Sequence, residues 1–101
     1  MYSMIYVTFP NKKTAKQISK KLVKEKLVAC ANIHSTDSVF IWKGKLEDTK
    51  EYIAVLKTKT KLINKIIKRI KELHPYECPS IEFMKIRANK DFLKWIDEST
   101  I

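Results

Sequence analysis

With 101 residues, 45% of them apolar, the chain can close one hydrophobic core but not two, so residues 1–101 are expected to form a single domain that folds without disulfide or metal staples. Lys and Arg number 21 against 11 Asp and Glu, a formal charge of +10 that draws polyanions. Only Arg69 and Arg87 are arginines, however, which weighs against a dedicated base or phosphate reader.

Residues 3–9 are rich in β-formers and predict a buried strand. Pro10 interrupts it, and Asn11 is placed to cap a helix over 12–25, where Ala15, Ile18, Leu22 and Val23 recur at helical spacing. Residues 28–34 and 39–42 return to strand character. Gly44, the only glycine, is expected to mark the one turn that needs positive φ. A nearly continuous apolar run makes 51–58 a strand. Leu62, Ile63, Ile66, Ile67, Ile70 and Leu73 then define a second amphipathic helix. Residues 81–86 form a fourth strand and 91–99 a C-terminal helix. The lysines of the helical segments fall on their polar faces, where solvation is the ordinary role.

The order β-α-β-β-α-β-α is that of an α+β, ferredoxin-like sandwich with a C-terminal helix added. Its central hairpin has arms over about 28–43 and 46–58, each able to reach about 40 Å at about 3.3 Å per residue. A domain of this size has a radius of gyration near 13 Å, so the hairpin tip should overhang the body. That tip carries Val39, Phe40, Ile41 and Trp42. An overhanging apolar hairpin with open edges predicts self-association.

The densest chemistry lies in His74-Pro75-Tyr76-Glu77-Cys78-Pro79. Two prolines exclude a helix or an interior strand, leaving a stiff loop that presents an imidazole, a phenol, a carboxylate and a thiol. The plainer alternative is a helix stop, with His74 at the negative end of the helix dipole and Tyr76 packed as a lid. Cys30 and Cys78 form no Cys-x-x-Cys pair, no segment reads as a secretory leader, and no apolar run approaches membrane-spanning length. A reducing, cytoplasmic setting without a membrane partner is expected. No glycine-rich phosphate loop, catalytic triad or paired carboxylates stand out, so no enzyme is predicted.

Four segments resemble the CutA family of divalent-cation tolerance proteins. They are Leu27-Val28-Ala29-Cys30-Ala31-Asn32-Ile33, then Ser38-Val39-Phe40-Ile41-Trp42-Lys43-Gly44-Lys45 with Glu51 and Leu56-Lys57-Thr58, then His74-Pro75-Tyr76-Glu77-x-Pro79, and Phe92-Leu93-x-Trp95-Ile96. The resemblance implies a homotrimer similar in architecture to the PII signalling proteins, with the long hairpins associating between subunits. It also implies a binding or signalling module linked to copper and other divalent cations.

A copper site needs imidazole and thiolate ligands within about 2.0–2.3 Å of the ion. The candidates are His74, Glu77 and Cys78, with Cys30 and His34 less well placed: Cys30 as a small buried strand residue, His34 at a strand end. Some bacterial relatives carry a cysteine and a second histidine at the positions of Val7 and Leu73, so only His74 remains of that set. Copper or another divalent cation is therefore expected to bind with modest affinity. The resemblance also places Trp42, Glu51, Lys57, His74 and Tyr76 near the intersubunit cleft. An aromatic wall with a cation, an anion and an imidazole suits a small anionic effector, drawn in by Lys57. The structural alternative is a Lys57–Glu51 ion pair beneath an interface tryptophan. Nucleic acid is expected only as a nonspecific partner of the positive charge, because residues 51–56 lack the glycines and exposed aromatics of an RNA-recognition strand.

Overall fold

A computed structural model describes all 101 residues. In chain order the elements are β1 (Tyr2–Phe9), α1 (Lys12–Lys24), β2 (Cys30–Trp42), β3 (Lys45–Lys59), α2 (Ile63–Leu73), β4 (Ile81–Ile86) and α3 (Lys90–Ser99). A single 3-10 turn, Thr60–Leu62, leads into α2. The strands form one antiparallel sheet in the order β2-β3-β1-β4, the ferredoxin-like arrangement.

Alternation along β1 buries Ser3, Ile5, Val7 and Phe9 and leaves the even positions partly exposed. Ile5 stands opposite Leu56 and Val7 opposite Ala54. These side chains join Ala15, Ile18 and Leu22 of α1 and Ile63, Ile66 and Ile70 of α2 in one cluster. Each such aliphatic side chain contributes roughly 1.5–3 kcal/mol on burial. Helices α1 and α2 thus cover one face of the sheet, while the face of Thr8, Glu51 and Lys57 meets only helix α3, through Tyr2 and Lys59 at its far end.

Asn11 caps α1 as expected, its Oδ1 accepting the Thr14 N–H at 2.8 Å. The other end of the helix corrects an expectation. Gly44 (φ 79°) is not alone at positive φ, for Lys26 (φ 59°) and Lys43 (φ 51°) share that region. At Lys26 the reason is a Schellman motif, in which the Leu27 N–H reaches the Leu22 carbonyl and the Lys26 N–H that of Val23, both at 3.0 Å. At Lys43-Gly44 it is the two-residue hairpin turn, whose twist requires positive φ at both positions.

β2 is also one strand, where sequence reading expected two segments. Its polar stretch Ser35, Thr36, Asp37 and Ser38 belongs to a part of the hairpin with no helix over it, so polarity there does not interrupt the strand. His34 accordingly lies mid-strand and exposed, and Cys30 opens the strand half-exposed opposite Lys57, not buried in the core. The β1 pairing ends at Phe9 opposite Tyr52, while β2 and β3 continue from Thr36–Glu51 to Trp42–Lys45. This projecting hairpin makes the molecule 45 Å long against 24 and 21 Å across. Its tip is apolar on both faces: Phe40 and Trp42 on one, Val39, Ile41 and Leu46 on the other, the last three 66%, 66% and 69% exposed.

Candidate functional site

Because His74 precedes proline, its backbone is driven out of the helical region, and α2 ends there at φ −74°, ψ 135°. Its ring turns in beneath the end of β1. Nε2–H donates to the Thr8 carbonyl at 2.7 Å, Nδ1 accepts the Tyr76 N–H at 3.0 Å, and the ring stacks on Phe9 with centroids 4.8 Å apart. These partners specify the neutral Nε2–H tautomer. Burial lowers the imidazole pKa below its ordinary value, against the opposing pull of the Thr8 carbonyl and the Glu51 charge.

From that anchor the loop crosses to the face without α1 and α2, and the Tyr76 hydroxyl donates to Glu51 Oε2. Burial, reinforced by the Glu51 carboxylate as acceptor and as charge, pushes the phenol pKa well above its usual value. Between this loop and the hairpin lies an open cleft of about 640 Å³. Phe40 and Trp42 supply aromatic wall, and Glu47, Thr49 and Glu51 continue it along β3. Tyr76, Glu77 and Cys78 line the loop side. At the rim the Lys43 ammonium lies 3.5 Å from Glu77 and 5.7 Å from the centroid of the Trp42 ring.

Glu51 and Tyr76 are therefore brought together, with His74 directly behind Tyr76, and Trp42 lines the same cleft toward the hairpin tip. Lys57 is not. It sits six residues beyond Glu51 on β3, about 20 Å away at about 3.3 Å per residue, and its Nζ donates to Asn32 Oδ1. The expected Lys57–Glu51 pair does not form within one protomer; each partner has a different hydrogen bond.

The residues proposed for metal do not assemble a centre. No three His, Cys, Asp or Glu side chains stand where they could hold an ion. Both nitrogens of His74 are engaged, Glu77 faces Lys43, Cys78 is exposed, and Cys30 and His34 lie on β2. The donor set does not fit a resident copper within one chain.

Glu47 and Thr49 were missed by sequence reading, although the hairpin register would have found them. A two-residue turn at 43–44 sets Trp42 opposite Lys45, Phe40 opposite Glu47 and Ser38 opposite Thr49, all on one face.

The model of the CutA1 divalent ion tolerance protein family matches residues 3–99. The divalent-cation tolerance protein CutA of Pyrococcus horikoshii is 43% identical over 98 residues, with 96% of each chain covered. The solved structure of the periplasmic divalent cation tolerance protein CutA from Archaeoglobus fulgidus superimposes with a TM-score of 0.95 at 38% identity, over 98% of both chains. The PII-like protein CutA from Nostoc sp. PCC 7120, in apo form, gives a TM-score of 0.91 at 26% identity, over 98% of this chain and 97% of that one. Matched in sequence and in structure along nearly its whole length, the chain belongs to the CutA1 divalent ion tolerance family.

Proposed function

We propose that the protein is a homotrimeric, noncatalytic binding module that serves divalent-cation tolerance by taking a small ligand in the cleft between its hairpin and the 74–80 loop. The observation that carries this reading is the Tyr76–Glu51 contact, which pins the loop against the hairpin and holds the cleft open between aromatic and polar walls. The one buried imidazole, His74, is committed to backbone partners, which suits a structural part in the site. The trimer accounts for the face of the hairpin tip away from the cleft, where a lone protomer leaves Val39, Ile41 and Leu46 in water. The free thiols Cys30 and Cys78 suit residence in a reducing cytoplasm.

Native mass spectrometry of untagged protein purified without chelator tests the reading. A trimer that retains a small organic adduct, lost in Tyr76→Phe with Glu51→Gln, is expected. A monomer, or a trimer whose adduct survives both changes, would refute it. Removing the Tyr76 hydroxyl should also lower stability by about 1–2 kcal/mol, because the nearly buried Glu51 loses its donor.

A second reading concerns metal directly. Glu77 and Cys78 are adjacent and exposed at the cleft mouth, and together they offer a carboxylate and a thiol to a divalent cation held weakly. Calorimetric titration with zinc is expected to show low affinity that Cys78→Ser abolishes. Tight stoichiometric binding that survives Cys78→Ser would defeat this reading.

A further inference from the structure

The cleft has an electrostatic character opposite to that of the molecule around it. The chain carries +10, yet three of its 11 acidic residues, Glu47, Glu51 and Glu77, line this one cavity, and no Lys or Arg does. Glu51 is only 5% exposed, so its charge acts where water screens it least. Tyr76 occupies its Oε2, which leaves Oε1 for a ligand donor. Beside Glu47 and Glu51 on the same hairpin face stand Phe40 and Trp42, whose ring faces attract cations.

The chain places one cation of its own at the cleft mouth. The Lys43 ammonium settles at the rim against the Trp42 ring and the Glu77 carboxylate. A bare metal ion is a poorer match, since no three ligating side chains converge and two aromatic walls offer it nothing. Within one protomer an anion is poorer still, because Lys57 of the same chain lies far along β3 and is bound to Asn32.

We propose that the cleft takes an elongated organic cation with two or more charged groups, an aliphatic polyamine or an aminoalkyl guanidine, with one charged group beside the Trp42 ring and Glu47 and another reaching Glu51 farther along the cleft. This rests on the reading of the cleft as a ligand site and adds the chemical class of the ligand. The overall charge makes the idea discriminating: nonspecific attraction to a +10 protein favours anions, so uptake of a polycation has to come from a local site.

The test titrates the native assembly with spermidine and with agmatine, using citrate as the anionic probe. Calorimetry is combined with Trp42 fluorescence in a Trp95→Phe background. Saturable binding of at least one cation with a change in Trp42 emission is expected. Glu47→Gln should weaken it about fivefold and Glu51→Gln about tenfold or more, the ordinary range for one lost charge contact at a partly and a nearly fully buried position. Lys43→Asn should tighten it about fivefold by removing the competing ammonium, while asparagine keeps the turn's positive φ. The gain in that variant does not depend on Glu51→Gln folding normally. If citrate binds with a Trp42 response and neither cation does, the cation inference fails and the ligand site stands. If none of the three probes perturbs Trp42, both fail. Cation binding indifferent to Glu47→Gln and Lys43→Asn would assign it to the outer surface and overturn the inference.

Discussion

Ile41→Asp combined with Leu46→Lys is expected to replace the proposed trimer with a folded monomer. The two residues face each other across one rung of the hairpin, on the side away from the cleft, and are 66% and 69% exposed. Opposite charges at a cross-strand pair are favourable, so the hairpin itself should survive. What is lost is association. Covering each of these side chains contributes roughly 1.5–3 kcal/mol, and desolvating two charged groups in a dry contact costs several kcal/mol more. A combined loss above about 4 kcal/mol per contact lowers an association constant by about a thousandfold or more. Sedimentation equilibrium should therefore report one chain mass at micromolar concentration, with the far-ultraviolet circular dichroism of the sheet retained. An unchanged trimer would show that this face of the hairpin lies outside the interface. The projecting rungs would then need another explanation for carrying Val39, Ile41 and Leu46 in water.

That expectation was within reach of the sequence because hairpin geometry is local. One glycine beside Lys43, flanked by two long strand-forming runs, fixes the turn, and the turn fixes the register from Trp42–Lys45 down to Cys30–Lys57. The overhang follows from arm length alone. The same strand holds Glu51 and Lys57 six residues apart, about 20 Å, so an ion pair between them within one protomer was refutable from sequence. What was not legible is the route of the 74–80 loop. His74-Pro75 announces the end of a helix, but where the chain goes next depends on Phe9 and Thr8, more than sixty residues earlier. Without that path, Tyr76 has no reason to meet Glu51, and the carboxylates of β3 and of the loop do not read as one cleft. The same long-range contact turns His74 from a candidate ligand into a structural anchor.

His74→Ala is expected to destabilise the protein by about 3 kcal/mol. The change leaves the Thr8 carbonyl and the Tyr76 N–H without partners, each costing about 1–3 kcal/mol where water cannot replace the lost bond, and it opens a hole against Phe9. A structural imidazole also leaves a pH signature that a surface histidine does not. Burial holds the folded pKa below the ordinary 6.5, so the folded state prefers the neutral ring. Above about pH 6.5 neither state is protonated at this position, and its contribution to stability is fully present. As pH falls below that value the unfolded chain takes up a proton that the folded chain resists. Stability should then decline, by at most about 1.4 kcal/mol per pH unit from this one group, until the folded pKa is reached. Denaturant unfolding at fixed protein concentration, compared between the parent and His74→Gln from pH 7.5 to 5, isolates the effect, because the titrations common to both proteins cancel in the difference. The gap between the two should narrow as pH falls. Parallel curves would mean that the ring is solvated in the fold and a widening gap that it is held charged, and in either case the anchor that delivers Tyr76 to Glu51 would have to lie in Pro75 and the stacking on Phe9 instead.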